Sequence, residues 1–268
     1  NRARQRRSFS KAYSSWMDLL DLASTLTARI NDIVSIPGDA LTGPILYMIL
    51  VHMEHTMGSG FELELYHAEE RACMYWVLAL VYGEQYALTK DHTSSSWQCI
   101  AHASRAQQHL CSALAILHVH THGNQLSRTQ AAFARRLKWL RRPPWCSPPR
   151  LCIVTSSAPF DVNMCWKSYE SWHQTMLSQP MHAPALQHLD QSVIYAKHAM
   201  EARVSDASAI LCRRERRTLD QHILDVALAL GAWVRMHPSQ VPVGSLWTNT
   251  HHPWYDTLQP LLLDDKTH

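Results

Sequence analysis

Glycine is scarce in this chain, with 8 among 268 residues. Sheet-rich folds turn on glycine-bearing hairpins and phosphate loops are built from glycine runs, so the composition argues against both. No Gly-x-Ser-x-Gly turn is present to expose a serine nucleophile, and neither a P-loop nor a dinucleotide fingerprint occurs. Long hydrophobic runs are missing as well. The most apolar one, Ala72 to Tyr82, falls well short of the about 20 residues that a bilayer span needs, so a buried helix is expected and a membrane is not. Neither charge dominates: the formal net charge of +3 is too small to announce a nucleic-acid binder by itself. The 7 cysteines are odd in number and contain no Cys-x-x-Cys pair, which fits a reducing, cytoplasmic setting better than a disulfide framework. The chain opens at Asn1 rather than Met and therefore reads as part of a longer one.

What is present is the helical period. Trp16, Leu19, Leu20, Ala23, Leu26, Ile30 and Ile33 share one face of a helix over about 14–34, closed by Pro37-Gly38. Thr42-Gly43-Pro44 caps a second helix to about Met57. Phe61 to Tyr66 alternates apolar and acidic residues, either a short extended piece or a helix start. A helix that is apolar nearly all round follows over about 69–88, central in the packing. The serines at 94–96 cap another to about His118, with Trp97, Ile100, Leu110, Leu114 and Leu117 inward. Ser127 to Gln130 has capping-box form before a short helix bearing Phe133, Leu137 and Leu140.

Prolines at 143, 144, 148 and 149 then end helix formation, and 151–160 is irregular or one short strand. Three helices complete the pattern. Val162, Cys165, Trp166, Tyr169, Trp172 and Met176 form the first stripe; Pro184 starts the second, with Leu186, Leu189, Val193, Ala196 and Met200 inward. Thr218 to Gln221 has capping-box form and opens the third, whose stripe is Leu219, Ile223, Val226, Leu230 and Val234 until Pro238. No repeat of fixed period is visible. The expected architecture is all-α, about eight helices in an antiparallel or solenoid-like stack. Its regions are 1–140 (helical), 141–160 (a Pro-rich basic connector), 161–237 (helical) and 238–268 (an irregular aromatic tail).

Candidate chemistry is thin. Gly58-Ser59-Gly60 superficially matches the pyrophosphate loop of acetyl-coenzyme A enzymes, but such a loop follows a strand and leads into a helix, and here the order is reversed. His118, His120 and His122, with Cys146, Cys152 and Cys165 downstream, define a metal-dependent alternative. Alternating histidines chelate only from an extended segment, whereas His118 falls at a helix end, where the dipole favours imidazoles anyway. No one of the seven cysteines stands out as a nucleophile. No cofactor or metal is therefore assigned.

Basic residues cluster in three runs: Arg2, Arg4, Arg6 and Arg7; Arg135, Arg136, Lys138, Arg141, Arg142 and Arg150; and Arg213, Arg214, Arg216 and Arg217. Brought together they would make a helical RNA-backbone binder, the second alternative; apart, they are solvated helix ends. Of the 10 tryptophans, Trp76, Trp166 and Trp172 lie on inward stripes, while Trp145, Trp247 and Trp254 either anchor irregular segments or meet a partner.

Gly60-Phe61-Glu62-Leu63-Glu64-Leu65-Tyr66, followed by Tyr75-Trp76, resembles the C-terminal part of the large auxiliary subunit of the NatC N-terminal acetyltransferase complex. Later features keep that family's order over roughly 12–260: a basic Pro-rich break from Arg141 to Arg150, a Pro-led helix from Ala183 through His198, an apolar helix from Leu219 to Val234, and the aromatic patch His252 to Tyr255. Trp145 to Ser147 interrupts the family's run of prolines, and 201–217 has no counterpart in it. The resemblance implies a non-catalytic scaffold, about the last third of a longer chain. Such a subunit wraps a catalytic subunit, holds a small Sm-like subunit and helps dock the complex on the ribosome. Gly60, Phe61, Glu62, Leu65, Tyr66, Tyr75 and Trp76 are then the partner-binding candidates, or else they hold the local core. The run from Arg135 to Arg150 is the candidate basic surface toward ribosomal RNA.

Overall fold

A computed structural model describes residues 70–91, 93, 95–122, 130, 162–204 and 213–237. Five helices occur among them, and no strand: α1 Glu70–Thr89, α2 Ser95–His122, α3 Val162–Leu177, α4 His182–Val204 and α5 Arg213–Met236. These match five of the eight or so expected helices. Those expected over about 14–34, 44–57 and, apart from Gln130, 127–140 lie outside the described residues, as do the extended piece at 61–66, the Pro-rich connector and the tail.

α2 is the centre. It is 28 residues long and packs most extensively against α4 on one side and α1 on the other, with smaller contacts to α3 and α5; α5 packs mainly on α4. The reason lies in the α2 side chains. Ala101, Ala103, Ser104, Ala106, Ala113 and Ala115 are fully buried and small, so neighbouring backbones come close. Ser192 of α4 uses that closeness, its buried hydroxyl donating to the Ala106 carbonyl at 3.0 Å. Leu110, Leu114, Ile116 and Leu117 supply the bulk, and one contiguous core runs from α1 through α2 to α4 and α5.

The inward stripes agree with expectation. Trp97, Ile100, Leu110, Leu114 and Leu117 are buried on α2, and Leu219, Ile223, Val226, Leu230 and Val234 on α5. Two boundaries differ. α5 begins at Arg213, five residues before the capping box read at Thr218, so that motif lies inside the helix and caps nothing. Its basic start, Arg213 to Arg217, reads as loop only if charge is taken for irregularity; the apolar stripe beyond it is strong enough to carry the helix through. α2 also continues four residues past the expected end at His118. No helix among the described residues is long and apolar enough to cross a membrane.

Candidate functional site

Of the partner-binding candidates, Gly60, Phe61, Glu62, Leu65 and Tyr66 lie outside the described residues, as do Arg135, Arg136, Lys138, Arg141, Arg142 and Arg150 of the basic candidate surface. Tyr75 and Trp76 lie on α1 and point inward. Trp76 is 8% exposed and meets Tyr169 of α3 edge-on at 5.3 Å and Trp172 at 6.3 Å. Tyr169 in turn touches Trp166 at 5.4 Å, so an aromatic knot fastens α3 to α1. Burial, and secondarily the Cys73 thiol, push the Tyr169 hydroxyl well above its ordinary pKa, so it stays protonated. Tyr75 stacks on the buried ring of His118, with centroids 5.6 Å apart and planes 5° from parallel. The geometry of both residues is that of core.

The segment from His118 to His122 is helical, not extended. Successive helical positions turn by about 100°, so His120 faces away from the line joining His118 and His122. His118 is spent on Tyr75, while His120 approaches His173 of α3, both held less basic than usual chiefly by burial. Among the described residues no group of three or more His, Cys, Asp or Glu is placed to hold a metal ion. Cys73, Cys99 and Cys111 are buried in the core.

The most concentrated polar chemistry sits elsewhere. Between Trp97 and Val119 α2 is buried all round except at Gln98, His102, Arg105, Gln108, His109 and Ser112. These recur every three or four residues and so form one half-buried stripe along the helix. Tyr86 of α1 and Tyr195 of α4 reach over it from either side, their rings meeting edge-on at 6.2 Å. The Arg105 guanidinium lies 4.9 Å from the Tyr86 centroid and 5.9 Å from that of Tyr195. Its Nη1 donates to Gln108 Oε1 at 2.6 Å. Gly83 makes room for that amide: a Cβ there would stand 2.5 Å from Gln108 Nε2.

Histidines fill the rest of the seam. His109 Nδ1 and His188 Nδ1 face each other at 2.9 Å, which requires one to carry the hydrogen and the other to accept it. His109 also stacks on Tyr195 at 5.8 Å, and His102 lies 5.3 Å from His198. Burial, then His188, then Arg105 bring His109 down to about 4. His188 is lowered by burial and by Arg105, and His102 by burial and His198 against a weaker pull from Glu201. The seam thus pairs one permanent cation with imidazoles kept neutral. It has the makings of a recognition surface. No nucleophile with an adjacent base is apparent in it.

Sequence reasoning passed over this seam. His102, Arg105 and His109 do share a helical face by spacing, as do His188 and Tyr195, but which helix faces which is a tertiary fact that periodicity does not carry.

A family model described as NAA35-like, TPR repeats, matches residues 1–138, just over half of the chain. The match takes in Gly60 to Trp76, α1 and α2, and stops before α3. The family is one of TPR repeats, although no fixed period is visible in the sequence. No curated protein and no solved structure matches the chain.

Proposed function

The chain belongs to the NAA35-like family of TPR-repeat proteins, and from that premise we propose that it serves as a non-catalytic auxiliary subunit of an N-terminal acetyltransferase complex of the NatC kind. The single observation that carries the reading is the family match over 1–138, which coincides with the stretch whose motif, Gly60 to Trp76, resembles the large auxiliary subunit. Physical features support it. TPR units stack helix pairs into extended surfaces that hold other polypeptides. Here the stack has a polar seam built for contact, and its aromatic residues are used for packing.

On this reading the chain binds the catalytic acetyltransferase subunit, and the small Sm-like subunit with it, in the cytoplasm. The basic run from Arg135 to Arg150, which spans the end of the region 1–140 and the start of the connector 141–160, assists attachment to the ribosome near the emerging nascent chain. Gly60, Phe61, Glu62, Leu65 and Tyr66 are proposed to contribute to the partner interface, while Tyr75 and Trp76 pack inside the helical stack.

Acetyl transfer to a Met-Leu peptide tests the division of labour. The catalytic subunit together with this chain is expected to acetylate it, and this chain alone is expected to be silent. Acetylation by this chain alone, reproducible after repeated purification, would refute the scaffold reading.

A further inference from the structure

Arg105 occupies the middle of the α2 stripe, flanked by rings from the two helices on either side, Tyr86 at 4.9 Å and Tyr195 at 5.9 Å. Both flanks fix the guanidinium in place, and Gln108 Oε1 takes one of its N–H groups. Nε is sealed from solvent without an acceptor among the described residues. Among the described residues no carboxylate forms an ion pair with Arg105; Asp91 and Glu201 are exposed and act on Tyr86 and His102 respectively. A guanidinium does not shed its proton, so the charge is permanent. Its histidine neighbours are neutral and would repel it if protonated, so they supply no counter-charge, and tyrosine faces compensate a cation only in part. A fixed, half-buried guanidinium with spare planar donors and no partner acid is suited to bidentate capture of a carboxylate.

We propose that Arg105 anchors a carboxylate side chain from an acidic segment of a partner protein, laid along the α2 seam beside the paired rings of Tyr86 and Tyr195. The complementarity is electrostatic and planar: the seam supplies the cation and the ring walls, and the partner supplies the missing acid. The proposal deepens the scaffold reading and rests on it, since it states the chemistry of the polypeptide that the stack accepts.

Fluorescence anisotropy on the full chain decides it, with a short dye-labelled Asp/Glu-rich peptide and its Asn/Gln counterpart as probes. The acidic peptide is expected to bind about tenfold or more tightly than the amide one. Arg105→Gln is expected to erase that preference with the circular dichroism spectrum unchanged. Arg105→Lys, which keeps the charge and loses the planar fork, is expected to lose most of it. Equal affinity of the wild-type chain for the two peptides would overturn the proposal without recourse to any variant. So would an acidic preference that survives Arg105→Gln, or a single-stranded RNA that displaces the acidic peptide and itself depends on Arg105. Co-purification of the wild-type chain with the catalytic acetyltransferase subunit, alongside equal affinity for the two peptides, would remove the carboxylate anchor and leave the scaffold reading standing.

Discussion

Lowering the pH from 7 to 5 is expected to destabilise this protein through the imidazole of His109. That ring sits against Arg105 on its own helix and against His188 and Tyr195 of α4, and it remains neutral in the fold down to about 4, whereas the unfolded chain takes up a proton near 6.5. Between those two values the unfolded state holds a proton that the folded state lacks, so stability falls as the pH falls, and the contribution is fully present only above 6.5. Each pH unit in that window removes about 1.4 kcal/mol per group, and integration from pH 7 to 5 gives a loss of about 2 kcal/mol for this one ring. His188, His102, His120 and His173 are shifted in the same direction, so the wild-type dependence is expected to be steeper than one proton accounts for. His109→Gln removes the titration while leaving an amide to bond His188. Urea denaturation of both proteins at pH 7 and pH 5, followed by circular dichroism, measures the difference. The variant should lose about 2 kcal/mol less than the wild type across that interval. Identical losses would mean that His109 titrates normally in the fold and that the seam is wetter than described.

Three packing predictions follow from the same geometry. Trp76→Ala should cost about 3–5 kcal/mol in thermal or chemical denaturation, because the ring fills the contact between α1 and α3; a loss of partner binding at unchanged stability would show instead that Trp76 is an interface residue. Ser192→Ala should cost about 1 kcal/mol by removing the buried bond to the Ala106 carbonyl, with no change in helix content. Arg235→Ala should shift stability by less than about 1 kcal/mol, because its ion pair with Asp190 has both side chains more than half exposed; a larger loss would mean that the pair is shielded.

The helical elements were legible because burial here follows a period that the sequence repeats faithfully. Ala72 to Tyr82, apolar on nearly every side, does lie in a helix deep in the core, and the stripes of α2 and α5 point inward as spaced. What misled was the assumption that local capping signals mark ends. Thr218 has the form of a cap but sits one turn and more inside α5, since the tertiary contact of α5 with α4 outweighs the local preference. His118 likewise reads as a terminus, yet α2 runs on, with His118 stacked on Tyr75 of α1 and His120 near His173 of α3. The candidate site was less legible. Tyr75 and Trp76 carry the family motif, but a motif records which residues recur together and not whether they face a partner or the core. The α2 seam arises from Tyr86, Arg105, His109, His188 and Tyr195, which lie on three helices and are juxtaposed only after folding.

On the proposed function, this stack of helices holds another polypeptide. Co-expression with the catalytic acetyltransferase subunit, followed by affinity purification through a tag on this chain and size determination by light scattering, puts that to the test. A stoichiometric complex that stays together at moderate salt is the predicted result. Recovery of this chain alone, folded and monodisperse, with the catalytic subunit in the unbound fraction, would contradict it.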